Sequence, residues 1–242
     1  MANWDGVALR YGVVSMRLVV FDWDQTLWDS WDLHRESIWH IADLLGVARP
    51  PLDVVIAHTY TVVEGHIRAL YGRAEPELME RYLRFYREHQ FDLARPFPGA
   101  QALLEALKAA GLRLALLSNK RRMNGHLEVE ASGLAPYLDL AVFREDQPQV
   151  KPAPDGLVDI LERLGAAPEE ACFVGDAPTD MACARAARVL GVGALWGALD
   201  RGLLLASGPD LLWETMEEGR AHLEARVAAR RNGHGPVNGH RE

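Results

Sequence analysis

The chain has 242 residues, a formal net charge of −8, 49% hydrophobic residues and two cysteines. That length suits one large domain or a core with a modest second unit, and the apolar content is ample for a packed interior. The acidic balance offers no field for nucleic acid, and no stretch approaches the ~18 apolar residues that span a bilayer. Cys172 and Cys183 read as small core residues of a protein in a reducing cytoplasm, not as a disulfide or metal pair.

Residues 1–15 carry no periodic element and no charged region followed by a cleavable apolar core, so they read as a dispensable extension or an over-called start before Met16. The apolar run Leu18-Val19-Val20 then ends in Phe21-Asp22-Trp23-Asp24-Gln25-Thr26-Leu27. A buried strand that stops this way delivers two carboxylates and a hydroxyl to one edge of a sheet. Asp22 and Asp24 share a side if the strand continues, or flank a tight turn if it stops. Two close carboxylates resist joint ionisation, and a hard divalent cation such as magnesium is the usual remedy.

Residues 29–95 form an all-helical block. A helix over 29–45, with Asp29 or Ser30 as N-cap, presents Trp31, Ile38, Ile41, Leu44 and Leu45 along one side and ends at Gly46 and Pro50-Pro51. Further helices are predicted over 52–58, 61–71 and 77–89. Gly65-His66-Ile67-Arg68 falls between two helices or at a kink. Pro96-Phe97-Pro98-Gly99 marks a return to the core.

From there helices and strands alternate. The predicted order is helix 100–110, strand 112–118, helix 124–132, a short strand at 138–143, helix 156–164, strand 171–175, helix 180–190, strand 192–196 and a last helix over 214–229. The Gly/Asn/His-rich residues 232–242 read as a disordered tail. Alternation of this kind specifies an α/β, doubly wound parallel sheet. Its core would comprise residues 16–28 and 96–231. Strand 112–118 runs into Ser118-Asn119-Lys120 and strand 171–175 into Gly175-Asp176, with Asp180 following. Lys151 lies in a Pro-stiffened loop before helix 156–164. Ligands of such sheets bind beyond the carboxyl ends of the strands, so these polar stops would converge on one crevice.

Asp22/Asp24/Thr26, Ser118/Asn119, Lys151 and Gly175-Asp176-x-x-x-Asp180, in that order, resemble the haloacid dehalogenase superfamily. The resemblance spans roughly residues 17–200, and the segment from Gly191 to Asp210 is similar to phosphoglycolate phosphatase-like members. It implies a Rossmann-like core with residues 29–95 as a helical cap, and a magnesium-dependent phosphatase working through an aspartyl-phosphate. Asp22 would be the nucleophile and Asp24 the general acid. Ser118, Asn119 and Lys151 would hold the phosphoryl group. Asp22, Asp24 and Asp176 would bind magnesium, Asp24 through its backbone carbonyl, with Thr26 and Asp180 in support.

The implied substrate is a small phosphate ester, phosphoglycolate-like or a sugar phosphate. His34, Arg35, His66 and Arg68 are cap candidates to touch it, with a solvated helix face as the alternative for each. A phosphosugar mutase and a non-catalytic phosphate- or magnesium-binding module are the rival readings. Two departures stand out: Gln25 replaces the usual Gly, so the turn after Asp22 is expected to differ, and Trp23 either packs in the core or stacks on substrate.

Overall fold

The computed structural model describes residues 16–233, so the expectations for residues 1–15 and 234–242 lie outside the described residues, while Asn232 and Gly233, expected in the tail, belong to the last helix, Met216–Gly233. Its frame is a parallel sheet in the order β5-β4-β1-β6-β7-β8. These strands are β1 (Leu18–Phe21), β4 (Arg113–Leu117), β5 (Leu140–Val142), β6 (Ala171–Gly175), β7 (Leu190–Ala194) and β8 (Leu211–Trp213). β1 lies centrally, pairing Leu18 with Arg113 of β4 on one side and with Ala171 of β6 on the other.

The strands are apolar on both faces because both faces are covered. Val19 and Phe21 point into one core, with Leu103, Leu104 and Leu107 of α5 (Ala100–Ala109) and Leu223 and Val227 of α10 (Met216–Gly233). Leu18 and Val20 point into the other, with Leu157 and Ile160 of α7 (Asp155–Arg163) and Cys183 and Ala184 of α8 (Pro178–Ala186). Each fully buried side chain of this size contributes about 1.5–3 kcal/mol relative to exposure. α6 (Arg122–Ala131) and α9 (Arg201–Ala206) complete the described helices of this part.

Between β1 and α5 the chain leaves the sheet through a short antiparallel pair. β2 (Trp28–Asp29) pairs with β3 (Arg95–Pro96), Trp28 opposite Pro96 and Asp29 opposite Arg95. The helices α1 (Trp31–Leu45), α2 (Leu52–His58), α3 (Val63–Tyr71) and α4 (Pro76–His89) form an insert above this neck. Ile38 and Ile41 of α1 and Leu78, Tyr82 and Tyr86 of α4 are buried in it, as their spacing predicts, whereas Leu44, expected on the same side of α1, is exposed.

Several expectations are corrected. Asp29 belongs to β2, so the first helix begins at Trp31. Residues 65–68 lie within continuous α3, where an interruption was expected. α8 ends at Ala186 and β7 begins at Leu190, earlier than predicted, because Arg188 adopts a left-handed φ of 61° that no helix continues through. α9 and the edge strand β8 were not foreseen: six and three residues respectively are too short to show a period. No helix among the described residues is long and apolar enough to cross a membrane.

Gly125, in the interior of α6, yields a test of packing. Alanine there would gain about 1 kcal/mol of helix propensity. Its Cβ, however, would overlap the ring of Phe143, which is fully buried. Overpacking of this kind costs about 1–3 kcal/mol. Gly125→Ala is therefore expected to lower the unfolding free energy measured in urea, and a gain in stability would contradict the packing described.

Candidate active site

Asp22 is the first residue past β1, and its N–H donates to Val174 O of β6 at 2.9 Å. Ser118 follows β4 and Asp176 follows β6, the two strands that flank β1, so both polar stops border Asp22. After Asp22 the chain turns sharply. Trp23 O accepts from the N–H groups of Thr26, Leu27 and Trp28 at 3.2, 3.0 and 2.9 Å. Asp22 and Asp24 thus flank a turn, the second of the two arrangements open from sequence.

Gln25 holds that turn at φ 60°, the left-handed conformation a glycine would take more easily. With its amide oxygen facing α1, it accepts from the N–H groups of Ser30 and Trp31 at 3.0 and 2.7 Å. Gln25 therefore satisfies orphan amides at the start of α1, which offsets the backbone strain. Ser30 stands at the N-cap position, but its hydroxyl donates to Asp24 Oδ1 at 2.7 Å. Gly197 packs so closely that a Cβ would fall 1.5 Å from Gln25 O. Trp23 is fully buried, stacked on Trp28 at 5.5 Å between centroids, and so belongs to the core.

At the centre lies Lys151. Its Nζ donates to Asp22 Oδ1 at 2.6 Å, Asp180 Oδ1 at 2.8 Å and Leu117 O at 3.2 Å. Asp180 Oδ2 accepts from Ala177 N at 3.0 Å, and Thr26 Oγ1 donates to Asp176 Oδ1 at 3.0 Å. Asp22, Asp176 and Asp180 each offer a carboxylate oxygen within 4.8 Å of the others, and all three residues are buried.

Burial raises the Asp22 carboxyl to about 7 against the pull of Lys151, with Asp180 adding to the rise. Burial, Asp180 and Asp22 together push Asp176 well up. Burial would lower Lys151, but Asp180 and Asp22 outweigh it and hold the ammonium above its ordinary value. Three carboxylates face one ammonium, which leaves an excess of negative charge on hard oxygen donors. This donor set fits a divalent cation. Asp180, read from sequence as a supporting residue, contributes its carboxylate to that group.

Asp24 points elsewhere. Its Oδ1 accepts from Lys120 Nζ at 2.6 Å as well as from Ser30. Burial would raise its pKa, but the charge and hydrogen bond of Lys120, with that of Ser30, hold it below the usual range. The Asp24 carboxylate thus stands apart from the three that gather round Lys151.

The remaining predicted residues divide. Ser118 is buried, and its Oγ accepts from Lys120 N at 3.2 Å. Asn119 commits its side chain to the Lys151 peptide: Nδ2 donates to Lys151 O at 2.9 Å, and Oδ1 accepts from Lys151 N at 3.0 Å. Its amide therefore positions the lysine, where the sequence suggested contact with a phosphoryl group. His34 lines the cleft, with Nδ1 3.2 Å from Tyr82 Oη and Nε2 3.1 Å from His66 Nδ1. Burial lowers His34 to about 4 and the His66 beneath it to about 3, so both imidazoles are neutral near pH 7.

Arg35 and Arg68 do not line the cleft. Arg35 pairs with Asp32 at 2.8 Å and Glu36 at 3.0 Å and lies over Trp39, and Arg68 is exposed. Arg68 thus lies on a solvated helix face, whereas Arg35 is held by its ion pairs and by Trp39.

Sequence reasoning missed Lys120, Glu128 and a polar clasp over the cleft. Glu64 of α3 is bound by Arg121 and, at 3.0 Å, by Arg144. Lys120 could have been flagged by its place directly after Ser118-Asn119, but Glu128 looks like any helix glutamate. The cleft measures about 220 Å³, is lined by Lys120, Arg121 and Arg144 among others, and runs from Asp22 and Lys151 to Tyr60, His34 and Tyr82 of the insert.

Comparison with known proteins adds the following. The family model of haloacid dehalogenase-like hydrolases matches residues 19–194. The chain is 30% identical over 222 residues to a phosphoglycolate phosphatase of Neisseria meningitidis, covering 87% of this chain and 94% of that one. It is 31% identical over 187 residues to a phosphoglycolate phosphatase of Aquifex aeolicus, covering 75% and 86%. The crystal structure of a hydrolase from Pseudomonas syringae superposes with a TM-score of 0.73 at 26% identity, covering 87% of this chain and 98% of that one.

The Asn119 clamp can be tested by Asn119→Ala. Two hydrogen bonds to a part-buried peptide are lost, and unsatisfied groups of this kind cost about 1–3 kcal/mol. Urea unfolding should register a loss in that range. A loss below about 0.5 kcal/mol would mean that the Lys151 loop does not depend on this side chain.

Proposed function

The chain belongs to the family of haloacid dehalogenase-like hydrolases, and from that premise we propose that it is a magnesium-dependent phosphatase of small phosphate monoesters that works through a phosphoaspartate at Asp22. The observation that carries this reading is the buried Asp22 at the end of a central strand, 2.6 Å from the Lys151 ammonium and beside two further carboxylates. A carboxylate attacks phosphorus only when the negative phosphoryl oxygens are neutralised. Lys151 brings a compact charge to that place, and the Ser118 hydroxyl is within the same cleft.

In the proposed course, an oxygen of Asp22 bonds to phosphorus as the ester P–O bond breaks, and the departing alkoxide takes a proton from Asp24. Water then attacks the phosphoaspartate, Asp24 takes back a proton, and inorganic phosphate leaves with the Asp22 carboxylate restored. Lys120 favours ionised Asp24, the form needed as base. The incoming phosphate dianion raises the proton affinity of the same carboxylate for its role as acid. Asp22 and Asp176 would hold magnesium, with the backbone carbonyl of Asp24, and Asp180 would secure Lys151 beside them. When bound, the cation neutralises charge between nucleophile and phosphoryl oxygens.

The substrate class follows from the size of the cleft and from the relatives named phosphoglycolate phosphatase. A cavity of about 220 Å³ under a helical cap of residues 29–95 suits a phosphoglycolate-like ester or a small sugar phosphate better than a protein loop. The free, buried thiols of Cys172 and Cys183 fit a cytoplasmic enzyme.

Phosphate release from a panel of small esters with magnesium tests the proposal. Asp22→Asn preserves shape but removes the nucleophile, so kcat should fall by about 10³-fold or more. An Asp22→Asn enzyme of near-normal activity would end this reading.

A further inference from the structure

Behind Asp24 and Lys120 lies a buried carboxylate, Glu128, that takes no part in the reaction proposed above. Glu128 of α6 is fully buried, and donors from different parts of the chain converge on its carboxylate. Trp23 Nε1, from the loop between Asp22 and Asp24, donates to Oε2 at 2.7 Å. Lys120 Nζ, from the loop after β4, lies 2.9 Å from Oε2. Tyr86 Oη, from α4 of the helical insert, donates to Oε1 at 2.8 Å. Lys120 Nζ then reaches Asp24 Oδ1 at 2.6 Å and stands 5.1 Å from the centroid of the Tyr86 ring.

Filling this space does not require charge. Well-packed apolar side chains commonly stabilise a buried position as well as an ion pair does. What the charges supply is position. A lysine ammonium rides on a flexible stem and is strongly hydrated in water. Held between Glu128 and Asp24, with only 7% of its side chain exposed, Lys120 has one place to go. Ser30 Oγ joins it on Asp24 Oδ1, so two donors hold one oxygen of Asp24. The Asp24 side chain remains 37% exposed and lines the cleft, which leaves its other oxygen for reacting atoms.

We propose that Glu128 is a positioning residue for Asp24, acting through Lys120, and that Tyr86 makes this geometry depend on the seating of α4 against the core. The inference rests on the reading of Asp24 as the group that exchanges a proton with leaving group and water. Displacement of a reacting group by about 1 Å costs on the order of 10²-fold in rate. Loosening Lys120 should therefore weaken acid assistance and leave nucleophilic attack by Asp22 almost untouched. A purely structural glutamate would affect all substrates alike.

The test is single-turnover phosphorylation of the full chain at saturating magnesium, comparing ethyl phosphate with p-nitrophenyl phosphate. The alkoxide needs a proton to depart, whereas p-nitrophenolate leaves with little help. Asp24→Asn should slow the alkyl ester more than the aryl ester, by about 10²-fold or more. Glu128→Gln should do the same by roughly tenfold, and its selective effect should vanish in the Asp24→Asn background, because residues that act as one unit are not additive. Tyr86→Phe, which removes only a hydroxyl, should shift the ratio in the same direction by about threefold.

Equal slowing of both esters by Glu128→Gln, or a selective effect that persists without Asp24, overturns the inference and leaves the role of Asp24 standing. An Asp24→Asn enzyme that treats both esters alike removes the acid–base reading and the inference with it. Should Glu128→Gln fail to fold, Tyr86→Phe decides, and an unchanged ester ratio in that variant overturns the proposal.

Discussion

The Lys151 ammonium lies 2.6 Å from Asp22 and 2.8 Å from Asp180, all three residues buried, and much of the surrounding backbone keeps it there. Removing one partner of such a buried pair leaves an uncompensated charge, which costs about 3–5 kcal/mol. The loop that carries Lys151 is gripped by the side chain of Asn119, and the ammonium also reaches the last carbonyl of β4. Because Asp22 directly follows β1, Leu117 ends β4 and Asp180 lies on α8, one ion-paired lysine binds together the strands and the helix that frame the site. The same arrangement is electrostatically incomplete. Asp176 adds a third carboxylate, and burial pushes both Asp22 and Asp176 up.

Sheet and insert share one apolar cluster, which runs from Val19 and Phe21 through Trp23 and Leu27 to Ile38, Ile41 and Leu78, and polar contacts are added to it beside the cleft. The sheet is stabilised by apolar contacts on both faces. The insert meets the core beside the cleft through polar contacts: Glu64 with Arg121 and Arg144, and Tyr86 with Glu128. Polar contacts are directional, and those that water reaches can exchange with it at small net cost. The loop from Trp23 to Trp28 joins core and insert, because it carries Asp24, begins the neck and contributes Trp23 to the buried Glu128 cluster.

How much of this was legible in the sequence depends on the residue. Asp22, Ser118 and Asp176 could be read because each ends an apolar run, and a run that stops at a polar residue has a physical meaning in a parallel sheet. Lys151 has no such signature of its own and was placed by resemblance. Glu128 was invisible: a glutamate on a helix is ordinarily exposed, and Glu128 is buried because Trp23, 105 residues away, Tyr86 and Lys120 converge on it. Ser30 has the composition of an N-cap, yet Asp24 competes successfully for its hydroxyl. At Gln25 the backbone preference alone suggested an altered turn. The turn keeps its left-handed residue because the side chain caps α1, a compensation no propensity scale contains. Arg35 and Arg68 do not line the cleft, in keeping with the alternative left open for both, since an arginine near a motif need not face it.

The excess of carboxylates around one ammonium is the central claim, and thermal unfolding with and without magnesium tests it most directly. A cation that binds only the folded chain at 100 times its dissociation constant stabilises by about 2.7 kcal/mol. For a domain of this size that is a rise in Tm of roughly 5–10 °C. The account predicts such a rise for the wild-type protein, and a smaller one for Asp176→Asn. It also predicts that Asp176→Asn is the more stable of the two without magnesium, since one repelling charge is gone. A wild-type Tm indifferent to magnesium, together with an Asp176→Asn protein less stable than wild type in its absence, would contradict it.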